Sequence, residues 1–292
     1  MVSRALKADG QPPFSDQTLV DARSGVTRFI ESFDGSRLVG VAAVSGDTLE
    51  LVVDPGARRQ GHGTVLLERL LSGRAEVAGV VPPVPRQAWA HGDHPASRRL
   101  AASHGFAPAR TLLQLRRPIT TAEASPATGP VGAESPAVTA VTIDSFVAGR
   151  DDEEWVALNA RVFAGHPEQG RLTVADLHAR MAEPWFRADD FLVARSTGAN
   201  SPGDDGMVGF NWLKIDPAEP EVGEIYAIGV DSGHAGHGLG RRLMERGLAR
   251  LAERGCTMAA LYVEEDNSSA VPLYRSLGFT DFTVDILYQR VK

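Results

Sequence analysis

The sequence predicts an α/β chain built from two copies of one unit, each a β-sheet flanked by helices, and three observations predict it. First, Glu224 to Val230 is rich in β-branched and aromatic residues and reads as a buried strand. A glycine-rich loop from Asp231 to Gly240 follows it, and Leu243, Leu248 and Leu251 then share one helical face. Second, the same order occurs earlier, in the strand and loop from Leu49 to Gly63 and the helix from Thr64 to Leu71. Val52-Val53-Asp54 matches Gly229-Val230-Asp231, and Gly61-His62-Gly63 matches Gly238-Leu239-Gly240, at one offset (230 − 53 and 238 − 61 are each 177). Third, both halves close alike, on Leu100-Ala-Ala-Ser-His-Gly-Phe106 and Tyr274-Arg-Ser-Leu-Gly-Phe279. This is an internal duplication.

The elements follow in order. Met1 to Pro13 is too short for a first strand and a full helix, so the first half is expected to begin abruptly. Phe14 to Arg23 reads as a helix with Ser15 or Asp16 near its cap. Thr27 to Phe33 and Arg37 to Ser45 read as strands joined at Asp34-Gly35, a hairpin signal. Leu49 to Val53 is the next strand, Gly56 to Gly63 the first glycine loop, and a helix continues to about Gly73. Gln87 to His91 is a short strand, Pro95 to His104 a helix closed by Gly105, and Phe106 to Arg117 an apolar strand. From Pro118 to about Val138 small and polar residues dominate without apolar periodicity, the composition of a flexible linker. Val141 to Ile143 starts a second strand series. Asp151 to Phe163 has helical spacing at Trp155, Leu158 and Val162, and Thr173 to Met181 is a helix capped by Thr173. Phe191 to Arg195 and Met207 to Ile215 are strands around a Gly/Ser/Asp-rich loop. Thr257 to Glu264 is a strand, Ser268 to Leu277 a helix closed by Gly278, and Phe279 to Val291 the last strand. Pro272 is expected to kink that helix just before Tyr274. Domains at 1–118 and 139–292, joined by a linker at 119–138, result.

Composition bounds the function. At 292 residues the length suits two domains, and 43% hydrophobic with 23% charged residues is ordinary for a globular protein. A net charge of −7 without a long basic run argues against nucleic acid or an anionic membrane as partner. No apolar run reaches the roughly 18 residues of a membrane span, and Met1 to Gly10 lacks a signal-peptide core. Cys256 is the only cysteine, which fits a reducing compartment and reads as a small buried hydrophobe. A cytoplasmic monomer acting on a small molecule is expected. No metal site is expected, because His166, beside Pro167, has no second His or Cys at ligand spacing.

A strand, a glycine loop and a helix in that order aim backbone N–H groups and a helix N-terminus at one point, which suits a pyrophosphate. Arg58-Arg-Gln-Gly-His-Gly63 resembles the Arg/Gln-x-x-Gly-x-Gly/Ala loop of the GNAT superfamily of N-acetyltransferases, and the two closing stretches resemble its terminal block. The resemblance implies two tandem domains, each with a mixed, mostly antiparallel twisted sheet. Val162-Phe-Ala-Gly-His-Pro-Glu-Gln-Gly170, Gly209-Phe-Asn-Trp-Leu-Lys-Ile215, Gly223-Glu-Ile-Tyr226, Leu261-Tyr-Val-Glu-Glu-Asp-Asn267 and, in the first half, Trp89-Ala-His-Gly92 resemble the mycothiol synthase family. That implies acetyl transfer from acetyl-CoA to the cysteinyl amine of a cysteine–glucosamine–inositol conjugate. By the same resemblance the CoA contacts are Ile228, Gly229, Val230, Ala235, Gly236, His237, Gly238, Leu239, Gly240, Arg241 and Asn267. A second CoA in the first half would meet Leu51, Val52, Val53, Arg58, Arg59, Gln60, Gly61, His62, Gly63 and Thr64. One departure stands out: Ala235 occupies the place of the loop's usual Arg/Gln, which leaves the backbone cradle but not the side chain.

The chemistry needs a base, because an α-amine with a pKa near 7.7–8.0 is partly protonated at neutral pH, and Glu224 at the strand start is the candidate. It also needs an acid for the departing thiolate. The resemblance gives that role to Tyr274, whose unperturbed pKa near 10 keeps it protonated. Tyr274 aligns with Ala101 in the first half (274 − 101 = 173), and Glu224 with Asp47, so catalysis is assigned to the second half. The resemblance further implies acceptor contacts at Asp16, Glu168, Lys214, Glu224 and Tyr262, a mixture that suits a polyhydroxyl sugar. Two other functions are compatible with the residues: an acetyltransferase for another small amine, and an acyl-CoA-binding regulatory protein without turnover.

Overall fold

A computed structural model of the chain describes residues 1–76, 79–120, 123, 141–165, 169–196 and 206–291. His166, Glu168 and most of the expected linker lie outside the described residues. The chain divides into two compact units, one of Met1–Gln114, Val263–Val271 and Asp281–Lys292, the other of Leu115–Tyr262 and Pro272–Thr280.

The first unit opens on helix α1 (Val2–Asp9), where the sequence reading expects no full helix. So short a helix is marginal alone. It persists because Ala5 is buried against Phe14, Val41, Ala43 and Val52, and because Gly10 closes it at φ 69°. Helix α2 (Asp16–Arg23) starts where Ser15 accepts from the Thr18 amide. Strands β1 (Arg28–Asp34), β2 (Arg37–Ser45) and β3 (Thr48–Val53) form an antiparallel meander. β4 (Gln87–His91) then pairs parallel to β3, and β11 (Thr280–Arg290), which closes the chain, pairs antiparallel to β4 from Asp285↔His91 to Gln289↔Gln87. Helices α3 (His62–Leu71) and α4 (Pro95–Ser103) flank this sheet. Leu66, Leu67 and Leu70 of α3 are buried with Ile30, Val44 and Leu49 of the strands.

The second unit takes Leu115–Pro118 from β5 (Phe106–Pro118). Its own strands are β6 (Val141–Ser145), β7 (Phe191–Ser196), β8 (Gly206–Ile215), β9 (Val222–Val230) and, as far as Tyr262, β10 (Met258–Glu264). They pair antiparallel from β6 to β9, and β9 pairs parallel to β10. Helices α5 (Asp152–Val162), α6 (Val174–Met181), α7 (Leu239–Glu253) and, from Pro272 on, α8 (Ala270–Ser276) complete it. Its core is an aromatic column: Phe191 stacks on Phe146 and on Trp212, each at 4.4 Å, and Trp155 meets Phe191, Phe210 and Trp212 edge-on at 5.5 Å. Each unit is therefore a mixed, mostly antiparallel sheet flanked by helices, as the sequence predicts.

Candidate active site

The two glycine loops are built alike. Asp54 and Asp231 each end a strand and accept, through Oδ1, from the amide two residues on, Gly56 at 3.0 Å and Gly233 at 3.2 Å. Two left-handed residues then alternate, Arg59 (φ 62°) and Gly61 (φ 89°) in the first unit, Gly236 (φ 79°) and Gly238 (φ 92°) in the second. These residues lie just ahead of α3 and α7, and a turn of this kind at a helix N-terminus suits an anion. Ala235 to Gly238 are exposed, so the second loop is open to a ligand.

The strands beside these loops fork. In the first unit the parallel pairing ends at Glu50↔Trp89, and in the second at Ile225↔Leu261. Beyond those pairs Leu51 to Val53 and Tyr226 to Val230 have no partner in β4 or β10, so their backbone groups can pair with an amide-bearing ligand lying along the strand. The predicted contacts Ile228, Gly229, Val230, Leu51, Val52 and Val53 all stand on these edges.

A cavity of about 730 Å³ fills the fork of the first unit. Every predicted first-half contact lines it except Gln60, whose amide donates to the Gly56 carbonyl at 3.4 Å. Arg58 lines it too, but its guanidinium forks onto Asp9 of α1 with both bonds at 2.7 Å, and its Nε donates to the Val53 carbonyl. Beside Trp89 on the cavity wall, His91 Nδ1 lies 2.9 Å from Asp285 Oδ2, and Nε2 lies 3.5 Å from Glu50 Oε1. Burial opposes charge on this imidazole, yet the Asp285 and Glu50 carboxylates overcome it and raise its pKa from 6.5 to about 10.

The predicted base and one predicted acceptor contact meet in the second unit. Glu224 and Lys214 are register partners on β9 and β8, with Nζ 3.9 Å from Oε2. The Lys214 residue is 8% exposed. Just past this pair the register shifts: Trp212 faces Ala227 while Leu213 faces Ile225, so Tyr226 is an extra residue, a β-bulge. The β2–β3 ladder of the first unit has no such shift. It runs unbroken from Gly40↔Val53 to Ser45↔Thr48, and Asp47 falls in the hairpin turn. Five residues along from Gly209↔Val230 the second unit presents Lys214 opposite Glu224; five along from Gly40↔Val53 the first presents Ser45 opposite Thr48. The register thus sets Thr48, not the offset-aligned Asp47, in the place of Glu224.

Tyr274 is buried, its ring 6.2 Å from that of Phe279, and burial pushes its pKa up to about 12. It is therefore a neutral donor at pH 7, as an acid requires. Pro272 lies in the first turn of α8, where its missing N–H has no helical partner to lose. The Leu277 amide still reaches the Leu273 and Tyr274 carbonyls, so the bonding of the turn around Tyr274 is intact.

The model of the acetyltransferase (GNAT) family matches residues 163–279. The mycothiol acetyltransferase of Kocuria rhizophila is 44% identical over 99% of this chain and 93% of its own, and that of Thermobispora bispora 42% over 99% and 94%. The chain belongs to the mycothiol acetyltransferase family. It is an N-acetyltransferase, and the GNAT family draws its acetyl group from acetyl-CoA. Two solved structures share the fold. The GCN5-related N-acetyltransferase from Sphaerobacter thermophilus has a TM-score of 0.69 at 19% identity, covering 98% of this chain and 89% of its own. A tandem GNAT protein from the clavulanic acid biosynthesis pathway has 0.67 at 17%, covering 98% and 91%.

The remaining predicted residues stand as follows. Asp16 is exposed in the first turn of α2, in the first unit. Tyr262 is 38% exposed on β10. Asn267 caps the approach to α8, accepting from the Ala270 amide at 3.0 Å. Arg241 donates to Ser276 Oγ at 2.6 Å and pairs with Glu245. Sequence reasoning missed Trp185 and Tyr226, which stand beside Lys214, and Arg180 on the Tyr226 hydroxyl, as well as Asp9 on Arg58 and the His91 cluster. Tyr226 and His91 stood in quoted motifs, Gly223-Glu-Ile-Tyr226 and Trp89-Ala-His-Gly92; nothing local marks Trp185, Arg180, Asp9 or Asp285. Among the described residues no group of three or more His, Cys, Asp or Glu is arranged to hold a metal ion, and no helix is long and apolar enough to cross a membrane.

Proposed function

We propose that the chain moves the acetyl group of acetyl-CoA to the cysteinyl amine of the cysteine–glucosamine–inositol conjugate, the last step of mycothiol assembly. The observation that carries the reading is Glu224 beside Lys214, next to the β9 bulge and on the strand that leads into an open glycine loop. Full-length likeness to proteins named mycothiol acetyltransferase supports the acceptor.

In this reading the loop amides around Gly236 to Leu239 hold the CoA phosphates, and the open edge of Tyr226 to Val230 orients the pantetheine amides. Glu224, directly or through a water, takes the proton from the acceptor ammonium, so the amine nitrogen can bond the acetyl carbon. Tyr274 gives its proton to the sulfur as the carbon–sulfur bond breaks; the nitrogen loses its second proton to solvent as the amide forms, Tyr274 recovers one from solvent, and Glu224 releases its own. No covalent acyl-enzyme is needed. Lys214, Glu168 and Tyr262 contact the acceptor. The first half is non-catalytic and holds a second CoA in the 730 Å³ cavity.

The test is CoA release with the conjugate beside a panel of simple amines, for wild type, Glu224→Gln and Tyr274→Phe. Turnover confined to the conjugate, with kcat/KM reduced about 10²- to 10⁴-fold in each variant, is expected. Turnover of simple amines alone overturns the acceptor; full activity in either variant overturns that residue's role.

A further inference from the structure

Lys214 is unusual within its own chain. Of 30 Lys and Arg residues only Lys7, Lys214 and Lys292 are lysines, so 30 − 3 = 27 are arginines. Lys7 is exposed on α1, whereas Lys214 is buried in the candidate site. A lysine offers a compact point charge on a flexible four-carbon stem, where arginine offers a wide planar fork. A point charge serves beside Glu224 only if something keeps the stem from wandering.

The second unit supplies it. The Lys214 ammonium lies 5.7 Å from the centre of the Trp185 ring and 5.8 Å from that of Tyr226, within reach of both π-faces. Neither ring is loose. Trp185 contacts Tyr226 at 5.1 Å and Trp212 at 5.8 Å, and Trp212 is stacked in the aromatic column. Arg180 Nε donates to the Tyr226 hydroxyl at 3.2 Å. The bulge at Tyr226, which the ladder alone does not require, is what gives β9 the residue that carries the second ring.

We infer that Trp185 and Tyr226 are positioning residues of the transfer reaction, a cradle of two rings that holds the Lys214 ammonium at Glu224 and presents it to the oxygens of a hydroxyl-rich acceptor. The inference rests on the proposed transfer at Glu224, but the cradle can be read without turnover. With three lysines, protein labelled with ¹³C at the lysine ε-carbon gives three signals, and Lys214→Arg identifies one by its loss. Ring currents displace the Lys214 signal upfield of the other two in wild type. Trp185→Leu returns it toward them and lowers kcat/KM for the conjugate about threefold to thirtyfold, while Trp185→Phe keeps a ring, most of the displacement and most of the activity.

A wild-type Lys214 signal lying with the other two overturns the cradle, whether or not any variant folds. So does a Trp185→Leu protein that loses the displacement with kcat/KM unchanged. A displaced signal in a protein that does not turn over the conjugate leaves the cradle standing and overturns the acceptor instead.

Discussion

Replacing His91 with glutamine tests whether a buried charge holds the end of the chain in the first unit. His91 on β4 reaches Asp285 on β11 at 2.9 Å, and Asp285 also accepts from the Gly92 amide at 3.0 Å. The Glu50 contact, at 3.5 Å, is too long for a good hydrogen bond and adds mainly charge. The pKa of His91, raised to about 10, exceeds its ordinary 6.5, and at ~1.36 kcal/mol per pH unit that is roughly 3–5 kcal/mol. The sign follows from linkage. A folded pKa above the unfolded one gives stability fully present below pH 6.5 and lost as pH rises through about 10. His91→Gln leaves two buried carboxylates without their cation, so it costs roughly 3–5 kcal/mol at pH 6. Urea denaturation of both proteins at pH 6, 8 and 10, followed by amide exchange in β4 and β11, measures the gap between them. Other groups titrate in this range but are shared by both proteins, so the gap isolates His91. It should shrink by most of its value by pH 10. A gap that stays constant across the range would refute a charged His91.

The remaining predictions concern the strand and the loop. Gly229→Ala places a Cβ 2.7 Å from Val162 Cγ1 and 3.0 Å from Phe210 Cε1, and neither side chain has a flexible end to yield. Overpacking of about 1–3 kcal/mol should lower the melting temperature of the second unit, and an unchanged value would mean that α5 moves freely. Asp9→Asn frees the Arg58 fork, so CoA measured by equilibrium dialysis should bind the first unit about two- to fivefold more tightly. Weaker binding would show that Asp9 orients Arg58 rather than competing with phosphate for it.

Much of this architecture could be read from the residues. The glycine loops were legible because left-handed backbone favours glycine, and Gly61, Gly236 and Gly238 adopt it. Arg59 takes the same conformation without being glycine, which only the alignment with Gly236 could suggest. Caps at Ser15 and Thr173 were local signals and lie where expected, and the hairpin signalled by Asp34-Gly35 turns one residue on, at Gly35-Ser36. What could not be read was pairing at a distance. Helix α1 depends on Phe14 and three strand residues for its burial. His91 finds Asp285 194 residues away. The bulge at Tyr226 is a property of register, visible only when β8 is laid against β9. Lys214 was selected through a family motif, but its aromatic walls come from a turn and a neighbouring strand that no spacing connects.

The duplication separates what binds from what reacts. A glycine loop and a forked strand edge need only backbone, so they survive in both units although Arg59 replaces Gly236 and Thr48 stands where Glu224 does. Acid–base chemistry needs particular side chains in a particular register, and that is where the halves differ. The β2–β3 ladder of the first unit has no bulge, and its hairpin turns at Gly46-Asp47, just past Ser45↔Thr48. In the second unit β8 and β9 continue beyond Lys214↔Glu224 to Ile215↔Gly223. Two opposed charged side chains on strands that run on past them are held; an aspartate in the turn itself is not. A single substitution at Thr48 would restore a carboxylate but neither the bulge nor the lysine with its two rings. The division of labour proposed for the two halves is therefore written in backbone register as well as in side chains, and register is the harder of the two to recover.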